Sequence, residues 1–153
     1  MIRRALEEDL PEILQLQKLA FKEEADFVND PNIKPMAQTL KELENEFKSG
    51  TILVYVEDGK IFGSVRASEE EGTCFITRMV VHPRHWRKGI GRNLMRAIEG
   101  SYSNVDRYEL FTRVDHPRTR PFYQSLGYLP FRTERISDSL TFVYLQKSNK
   151  RGS

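Results

Sequence analysis

Residues 80–95 constrain the fold of this chain more than any other stretch, because they predict a strand, a tight turn and a helix in immediate succession. Their sequence is VVHPRHWRKGIGRNLM. The apolar run ends at Pro83, and Gly89 and Gly91 supply the backbone freedom of a tight turn. Apolar residues then recur at the spacing of one helix face, at positions 90, 94 and 98. The stretch therefore predicts a fold that mixes strands and helices.

The same turn has the properties of an anion-binding site. The first N–H groups of a helix have no partner within the helix, and the helix dipole favours negative charge there. Glycine carries no side chain that would keep a phosphate from the backbone. Basic residues crowd the turn: Arg84, Arg87, Lys88 and Arg92. We interpret the turn as a phosphate-binding site, although charge alone would equally describe a solvated basic turn.

Two common phosphate-binding patterns do not fit this turn. The Walker pattern G-x-x-x-x-G-K-[ST] is absent, and Leu94 stands where a dinucleotide fingerprint has its third glycine. The turn also lies past mid-chain, whereas the dinucleotide pattern follows the first strand of its fold. The phosphate ligand therefore belongs to another class.

Composition indicates a globular domain. The chain has 153 residues, of which 39% are apolar and 30% charged, and its net charge of +2 does not favour bulk binding of nucleic acid or membrane. No apolar run approaches the roughly 20 residues of a membrane span, and no signal peptide is apparent. Cys74 is the single cysteine, which excludes an internal disulfide and suits a cytoplasmic protein. We predict a domain over residues 1–147, a flexible tail over 148–153, and no metal site.

Hydrophobic periodicity predicts the element order β-α-α-β-β-β-α-β-α-β-β. Asp9 is predicted to cap the first helix with Glu12, and one second helix is predicted from Pro35 to before Ser49. Predicted strands cover residues 2–5, 52–56, 61–67, 73–81, 108–114, 129–136 and 140–145. A short helix over 117–126 is predicted to end at Gly127. The fold class is α/β, a mixed and mostly antiparallel sheet of about seven strands with helices on both faces.

A second motif, FYQSLGY over residues 122–128, turns this pattern into a family resemblance. Together with the strand, the proline and the glycine turn, it resembles the GNAT superfamily of N-acetyltransferases. The resemblance implies that residues 86–92 hold the pyrophosphate of acetyl-CoA and that the preceding strand pairs with the pantetheine arm. The implied cofactor-binding residues are Met79, Val80, Val81, Trp86, Arg87, Lys88, Gly89, Ile90, Gly91, Arg92, His116, Phe122 and Tyr123. Trp86 departs from the Gln or Arg usual at its position, and His116 from a frequent asparagine.

Tyr123 is the candidate catalytic residue. A phenol stays protonated at neutral pH and can donate to a departing thiolate, and relatives often use the tyrosine of this motif in that way. The alternative is that Phe122 and Tyr123 are core aromatics of an amphipathic helix. The motif alone does not decide between the two.

The general base is not identified by the sequence. Relatives often place a glutamate at the position of Thr77, and threonine cannot accept a proton at neutral pH. His82, His85 and His116 have suitable unperturbed pKa values, and a water chain or an amine of low pKa would also suffice. Cys74 is predicted to be a small buried residue rather than a nucleophile.

The resemblance implies transfer of an acetyl group from acetyl-CoA to a primary amine by direct attack. The amine belongs to a small molecule or a peptide, and we expect its pocket around residues 21–47 and the distal strands. The acidic tip Glu69-Glu70-Glu71 could attract a cationic amine there. One alternative is a non-catalytic acyl-CoA sensor of the same fold. The other is a nucleic-acid binder, which the small net charge does not favour. A homodimer through exposed edge strands is left open.

Overall fold

The computed structural model describes residues 1–149 and contains one seven-stranded sheet. The strands are β1 (Ile2–Arg4), β2 (Thr51–Glu57), β3 (Lys60–Glu70), β4 (Thr73–Val81), β5 (Arg107–Arg113), β6 (Leu129–Ser137) and β7 (Leu140–Ser148). The helices are α1 (Leu10–Phe27), α2 (Lys34–Ala37), α3 (Leu40–Ser49), α4 (Ile90–Ser101) and α5 (Thr119–Ser125). Single 3₁₀ turns cover residues 7–9 and 83–85. The predicted fold class is confirmed.

The sheet has the order β1-β2-β3-β4-β5-β7-β6, and all its neighbouring strands are antiparallel except β4 and β5. Those two central strands pair over only three residues, from Thr73 opposite Arg107 to Phe75 opposite Glu109. Beyond Phe75 no residue of β4 pairs with β5 within the described chain. The two halves of the sheet therefore separate in the middle and leave a gap.

Each face of the sheet has its own apolar core. Ile90, Leu94 and Ile98 of α4 are buried on one face, with Tyr123 of α5 in the same cluster. We call this the cofactor face. On the other face, Leu10 and Ile13 of α1 pack with Leu43 of α3. We call this the acceptor face, and the placement confirms that helices cover both sides of the sheet.

The second predicted helix is two helices, α2 and α3. Thr39 separates them because its hydroxyl accepts the N–H of Glu42 at 3.2 Å, while Glu42 accepts the Thr39 N–H at 2.8 Å. This reciprocal pair is a capping box, and it starts a new helix at Leu40. The prediction missed it because Met36, Leu40 and Leu43 keep a helical spacing across the break.

The predicted cap of the first helix is confirmed in position, because Asp9 is the N-cap residue of α1, but the Asp9 side chain makes no capping hydrogen bond to that helix. Asp9 accepts the backbone N–H of Leu6 at 2.7 Å and pairs with Arg3, so it stabilises the preceding 3₁₀ turn. Glu12 reaches away from the helix end and accepts the N–H of Ile61 at 2.8 Å. Both carboxylates therefore connect α1 to other parts of the chain.

The predicted tail begins too early. Ser148 belongs to β7, and the Asn149 side chain donates to the carbonyls of Ser103 and Val105 at 3.0 and 2.8 Å. Residues 150–153 of the predicted tail lie outside the described residues. Within residues 1–149, no helix is long and apolar enough to cross a membrane.

Candidate active site

The gap between β4 and β5 is associated with a bulge at Arg78. On β3 the paired residues Ser64 and Arg66 are two apart, but their partners Val80 and Thr77 on β4 are three apart. The extra residue, Arg78, has a positive φ of 52°, which is unusual for a residue other than glycine. A bulge bends its strand and increases the local twist, which carries β4 away from β5.

The bulge decides which residues of β4 face the gap. The His82 N–H donates to the Phe62 carbonyl of β3 at 2.7 Å. In an antiparallel pair, the backbone groups of successive residues point alternately toward the partner strand and away from it. The backbone of Val80 therefore points toward β3, and that of Val81 points toward the gap. The Val80 side chain is buried in the core of the acceptor face. Met79 and Val81 pack on the cofactor face. The predicted contact of Val80 with the cofactor stays a prediction, although its side chain and its backbone both point away from the gap.

The glycine turn, residues 86–92, leads directly from this strand end to α4. Gly89 has a positive φ of 80°, and a Cβ placed on it would meet nothing within 4 Å. The first regular bond of α4 runs from the Asn93 N–H to the Gly89 carbonyl, which leaves the N–H groups of residues 90–92 without partners in the helix. Space and free donors thus coincide where the sequence predicts a phosphate.

Gly91 has a different role from the predicted one. A Cβ on it would lie 3.3 Å from Cζ of Phe122 and 3.5 Å from Cε of Met79. The absence of a side chain therefore lets α5 and β4 approach the first turn of α4. The motif residue Phe122 is brought against the glycine turn by this contact.

Trp86 connects the two sides of the gap. Its indole Nε1 donates to the Val81 carbonyl at 2.9 Å, and the guanidinium of Arg118, before α5, lies 4.3 Å from the ring centroid. The Val81 carbonyl is thereby engaged, so only its N–H is available to a ligand. Arg87 holds a positive φ of 67°, and the basic side chains of Arg87 and Lys88 are exposed.

His116 caps α5 instead of standing free as a base. Its Nδ1 accepts the backbone N–H groups of Arg118 and Thr119 at 3.1 and 3.2 Å, so the ring proton of the neutral form is on Nε2. Burial, with Arg113 and Arg118 nearby, lowers its pKa. His82 likewise accepts the Arg84 N–H with Nδ1, and burial lowers its pKa. Neither imidazole has a lone pair free to accept the proton of an amine.

His85 has a structural environment. Its ring stacks on Phe62 with the centroids 3.9 Å apart, and Nε2 lies 3.2 Å from a carboxylate oxygen of Glu57. Those contacts hold the 3₁₀ turn over residues 83–85 against the β2–β3 hairpin. All three histidines considered as bases are thus engaged in holding loops.

We expect the His116 cap to make stability depend on pH. Because the folded pKa lies below the unfolded value of about 6.5, protonation opposes folding, and stability present above pH 6.5 is lost as pH falls from there through the lower folded pKa. A His116→Asn variant keeps a cap acceptor that does not titrate. The drop in Tm between pH 7.5 and pH 5.0 should be smaller for His116→Asn than for the wild type. His82→Asn is the control for a less buried imidazole, and equal drops for wild type and His116→Asn would contradict the prediction.

Tyr123 lies in the core of the cofactor face. It is 7% exposed, and its ring is near those of Phe122 and Tyr128 at centroid distances of 5.2 and 6.2 Å. Burial raises its pKa, so the phenol stays protonated at neutral pH. Its hydroxyl has no hydrogen-bond partner within the described residues, although buried tyrosine hydroxyls usually have one. A partner from outside the chain would satisfy it.

The acceptor face adds charged residues that the sequence did not indicate. Glu24 of α1 lies over the open end of the gap, 3.8 Å from Arg113 of β5 and within electrostatic range of Arg78 of β4. Burial raises its pKa despite the two arginines. A carboxylate in this position can accept a proton, a capacity that Thr77 lacks. Glu24 stands beside an exposed glutamate in the sequence, and no pattern distinguishes the two.

The acidic tip Glu69-Glu70-Glu71 does not lie at this opening. Glu70 pairs with Thr73 at the start of β4, and the adjacent Gly72 carbonyl accepts the Asp106 N–H just before β5. The tip therefore belongs to the closed end of the β4–β5 pair. Its predicted proximity to the acceptor is wrong, because the strands separate only beyond Phe75.

Comparison with known proteins identifies the family. The acetyltransferase (GNAT) family matches residues 10–128, which include the gap, the glycine turn and the FYQSLGY motif. This chain belongs to the acetyltransferase (GNAT) family. The GNAT family uses acetyl-CoA as its acetyl donor.

Two solved N-acetyltransferases are similar in fold, and one curated protein is similar in sequence. The ribosomal-protein-S18-alanine N-acetyltransferase of Escherichia coli is 16% identical with a TM-score of 0.80, over 100% of this chain and 96% of that one. The PaiA N-acetyltransferase of Thermoplasma acidophilum, solved in complex with coenzyme A, is 16% identical with a TM-score of 0.78, over 97% and 98%. The protein YqkA of Bacillus subtilis, named UPF0157, is 24% identical over 92% of this chain, which spans only 40% of that relative.

The residues of this GNAT chain fit acetyl-CoA. The glycine turn offers free N–H groups and open space for the pyrophosphate, and basic side chains of the same turn suit its charge. Along β4, Met79 and Val81 face the gap where a pantetheine arm needs backbone partners. Phe122 of α5 borders the glycine turn at Gly91, and Tyr123 belongs to the apolar cluster against which Met79 and Val81 pack.

Proposed function

We propose that the protein transfers the acetyl group of acetyl-CoA to a primary amine inside the gap between β4 and β5. The observation that carries this proposal is the unpaired edge of β4, which runs into a glycine turn at the N-terminus of α4. The unpaired edge offers backbone hydrogen bonds to amide groups, and the turn offers free N–H groups to a phosphate. Together they suit a ligand that has amide groups at one end and phosphate groups at the other.

The chemistry assigned to the chain is proton transfer. The amine nitrogen forms a bond to the acetyl carbonyl carbon, and the carbon–sulfur bond breaks. Tyr123 donates its phenolic proton to the departing sulfur, which suits a group that burial keeps protonated. The nitrogen loses a proton in the same reaction, and that proton needs an acceptor on the other side of the gap.

Glu24 is the carboxylate that we assign to this proton, directly or through a water. It is partly buried over the gap, and its raised pKa brings it closer to the operating pH that favours a general base. The three histidines are excluded by the hydrogen bonds and packing described above. Glu24 and Tyr123 thus act from opposite faces of the sheet.

Ligand-dependent thermal stability tests the proposal. At 100 times its dissociation constant, a ligand of the folded state adds about 2.7 kcal/mol of stability. We expect a clear rise of Tm with acetyl-CoA and none with NAD. Dephospho-CoA and ATP, which each share part of the structure of acetyl-CoA, are measured in parallel. Thiol release with a panel of amines then measures turnover. Equal shifts with ATP and acetyl-CoA, or no shift, would contradict the proposal, and binding without turnover would support an acyl-CoA sensor.

A further inference from the structure

Arg78 has a guanidinium group without a partner at the opening of the gap. Within residues 1–149 it makes no hydrogen bond, and no carboxylate lies within 4.0 Å of it. Its Nε is buried, whereas its two terminal nitrogens reach solvent. The residue sits in the bulge with a positive φ of 52°. A strained backbone that presents an unpaired cation at a site is a feature typical of ligand binding.

A second arginine lies behind the first. Arg66 is 4% exposed and donates from Nη2 to the amide oxygens of Gln17 and Gln38 at 2.5 and 3.2 Å. Its Nε and Nη1 are buried without hydrogen-bond partners, although Glu46 lies 3.5 Å from Nε. A second positive charge, on Arg66, therefore lies behind that of Arg78, and the hydrogen-bonding groups of Arg66 are not all satisfied by its neighbours.

The negative charge on this face lies apart from Arg78. Arg113 is bonded to Asp115 at 2.7 Å and lies 3.8 Å from Glu24, while Glu46 is used by Arg66. Glu24 is on the far side of the opening and does not come within 4.0 Å of Arg78. A free arginine and a carboxylate thus face each other across the gap without closing on one another.

We propose that the acceptor is a free α-amino acid, with its carboxylate bound by Arg78 and its amine directed to Glu24. The two groups of such a molecule have opposite charges and are attached to the same carbon atom, which matches an arginine and a carboxylate that face each other across an opening. The fork of an arginine binds a carboxylate through two parallel hydrogen bonds. This inference rests on the proposed acetyl transfer and names its substrate class.

Other amines fit less well. A polyamine would bring further positive charge toward Arg78, which no carboxylate of residues 1–149 approaches within 4.0 Å, and toward Arg66, whose guanidinium is only partly satisfied. A peptide N-terminus carries a neutral amide beside the amine, whose single oxygen can accept one hydrogen bond from Arg78 but provides neither the charge nor the second oxygen of a carboxylate. The test therefore compares acceptors that differ only in the carboxylate.

The experiment measures thiol release from acetyl-CoA with L-amino acids, the corresponding L-amino acid amides and the decarboxylated amines. We expect kcat/KM for the best amino acid to exceed that for its amide by about 100-fold, the size of discrimination given by a buried polar group left unpaired. Titration calorimetry of the CoA complex with N-acetyl amino acids and their amides gives the same comparison without turnover. Arg78→Gln should abolish the preference in both assays, Arg78→Lys should restore part of it, and Arg4→Gln on the distant edge strand β1 is the control.

The outcomes separate this inference from the proposed function. Normal acetyl-CoA binding with equal use of acids and amides, or an unchanged preference in Arg78→Gln, would overturn the amino-acid assignment alone. Loss of thermal stability in Arg78→Gln with the preference intact would show a purely structural arginine and would also overturn it. Failure to bind acetyl-CoA would remove the proposed function and this inference with it.

Discussion

Replacing Tyr123 with phenylalanine is expected to lower kcat by at least about 100-fold, the lower end of what a positioned general acid contributes. The change removes one oxygen that makes no hydrogen bond within residues 1–149, so the core around it keeps its shape. Acetyl-CoA affinity should stay within about twofold, because general-acid catalysis acts on the transition state and not on binding of the ground state. Steady-state kinetics with a fixed amine and calorimetry with acetyl-CoA measure the two effects separately.

Tyr128→Phe is the matched control for this variant. Tyr128 is fully buried in the same core, but its hydroxyl donates to Glu99 at 2.7 Å. Losing that bond should cost stability, about 1 kcal/mol for a typical hydrogen bond, and leave kcat unchanged. Equal turnover of Tyr123→Phe and wild type would remove Tyr123 from the mechanism and leave it as a core aromatic.

Replacing Gly89 with alanine is expected to weaken acetyl-CoA binding by about 100-fold, with Gly89→Val losing still more. The added Cβ meets no protein atom within 4 Å, so it projects into the open space where we propose that the phosphate binds. The positive φ adds strain of roughly 1 kcal/mol, which lowers Tm without unfolding the chain. Calorimetry at constant ionic strength measures the affinity, and urea titration measures the stability.

The β2–β3 hairpin offers a closely matched control in Gly59. Its φ is 76°, and a Cβ on it would also meet nothing within 4 Å. Gly59→Ala should therefore carry the same backbone strain and the same loss of stability, while acetyl-CoA affinity stays normal. If Gly89→Ala binds as tightly as Gly59→Ala, the pyrophosphate does not lie against this turn.

The parts predicted correctly are those that short-range patterns encode. Residues 80–95 specify a strand end, a turn and a helix locally, and the Asp58-Gly59 turn specifies its hairpin, with φ values of 52° and 76°. Gly127 likewise ends α5 with a φ of 97°. Each of these features depends on residues that are neighbours in the chain, so the sequence alone was sufficient.

The charged acceptor face depends on distant residues and was not predicted. Arg66 and Gln17 are 49 positions apart, and their contact appears only when β3 lies under α1. The bulge at Arg78 also has no local signal, because a non-glycine residue with positive φ is held there by pairing with β3 on both sides. For the same reason nothing in the sequence around Glu24 indicates that it approaches Arg113 and the gap.

The single extra residue in β4 also determines on which side of the sheet each later side chain of that strand lies. Ile76 faces the cofactor side before the bulge, and Met79 and Val81 face it after the bulge. Ile76 and Met79 are three positions apart, and residues at an odd spacing share one side of a strand only where an extra residue interrupts the alternation. If β4 kept Arg78 but paired with β3 without the bulge, the two sides would exchange for the rest of the strand, placing Val80 on the cofactor face and Met79 in the opposite core. Deleting Arg78 would instead leave both residues on their present sides, because β4 would then match β3 residue for residue. The strand therefore depends on the bulge, more than on the type of residue in it, for the choice of residues that face the gap.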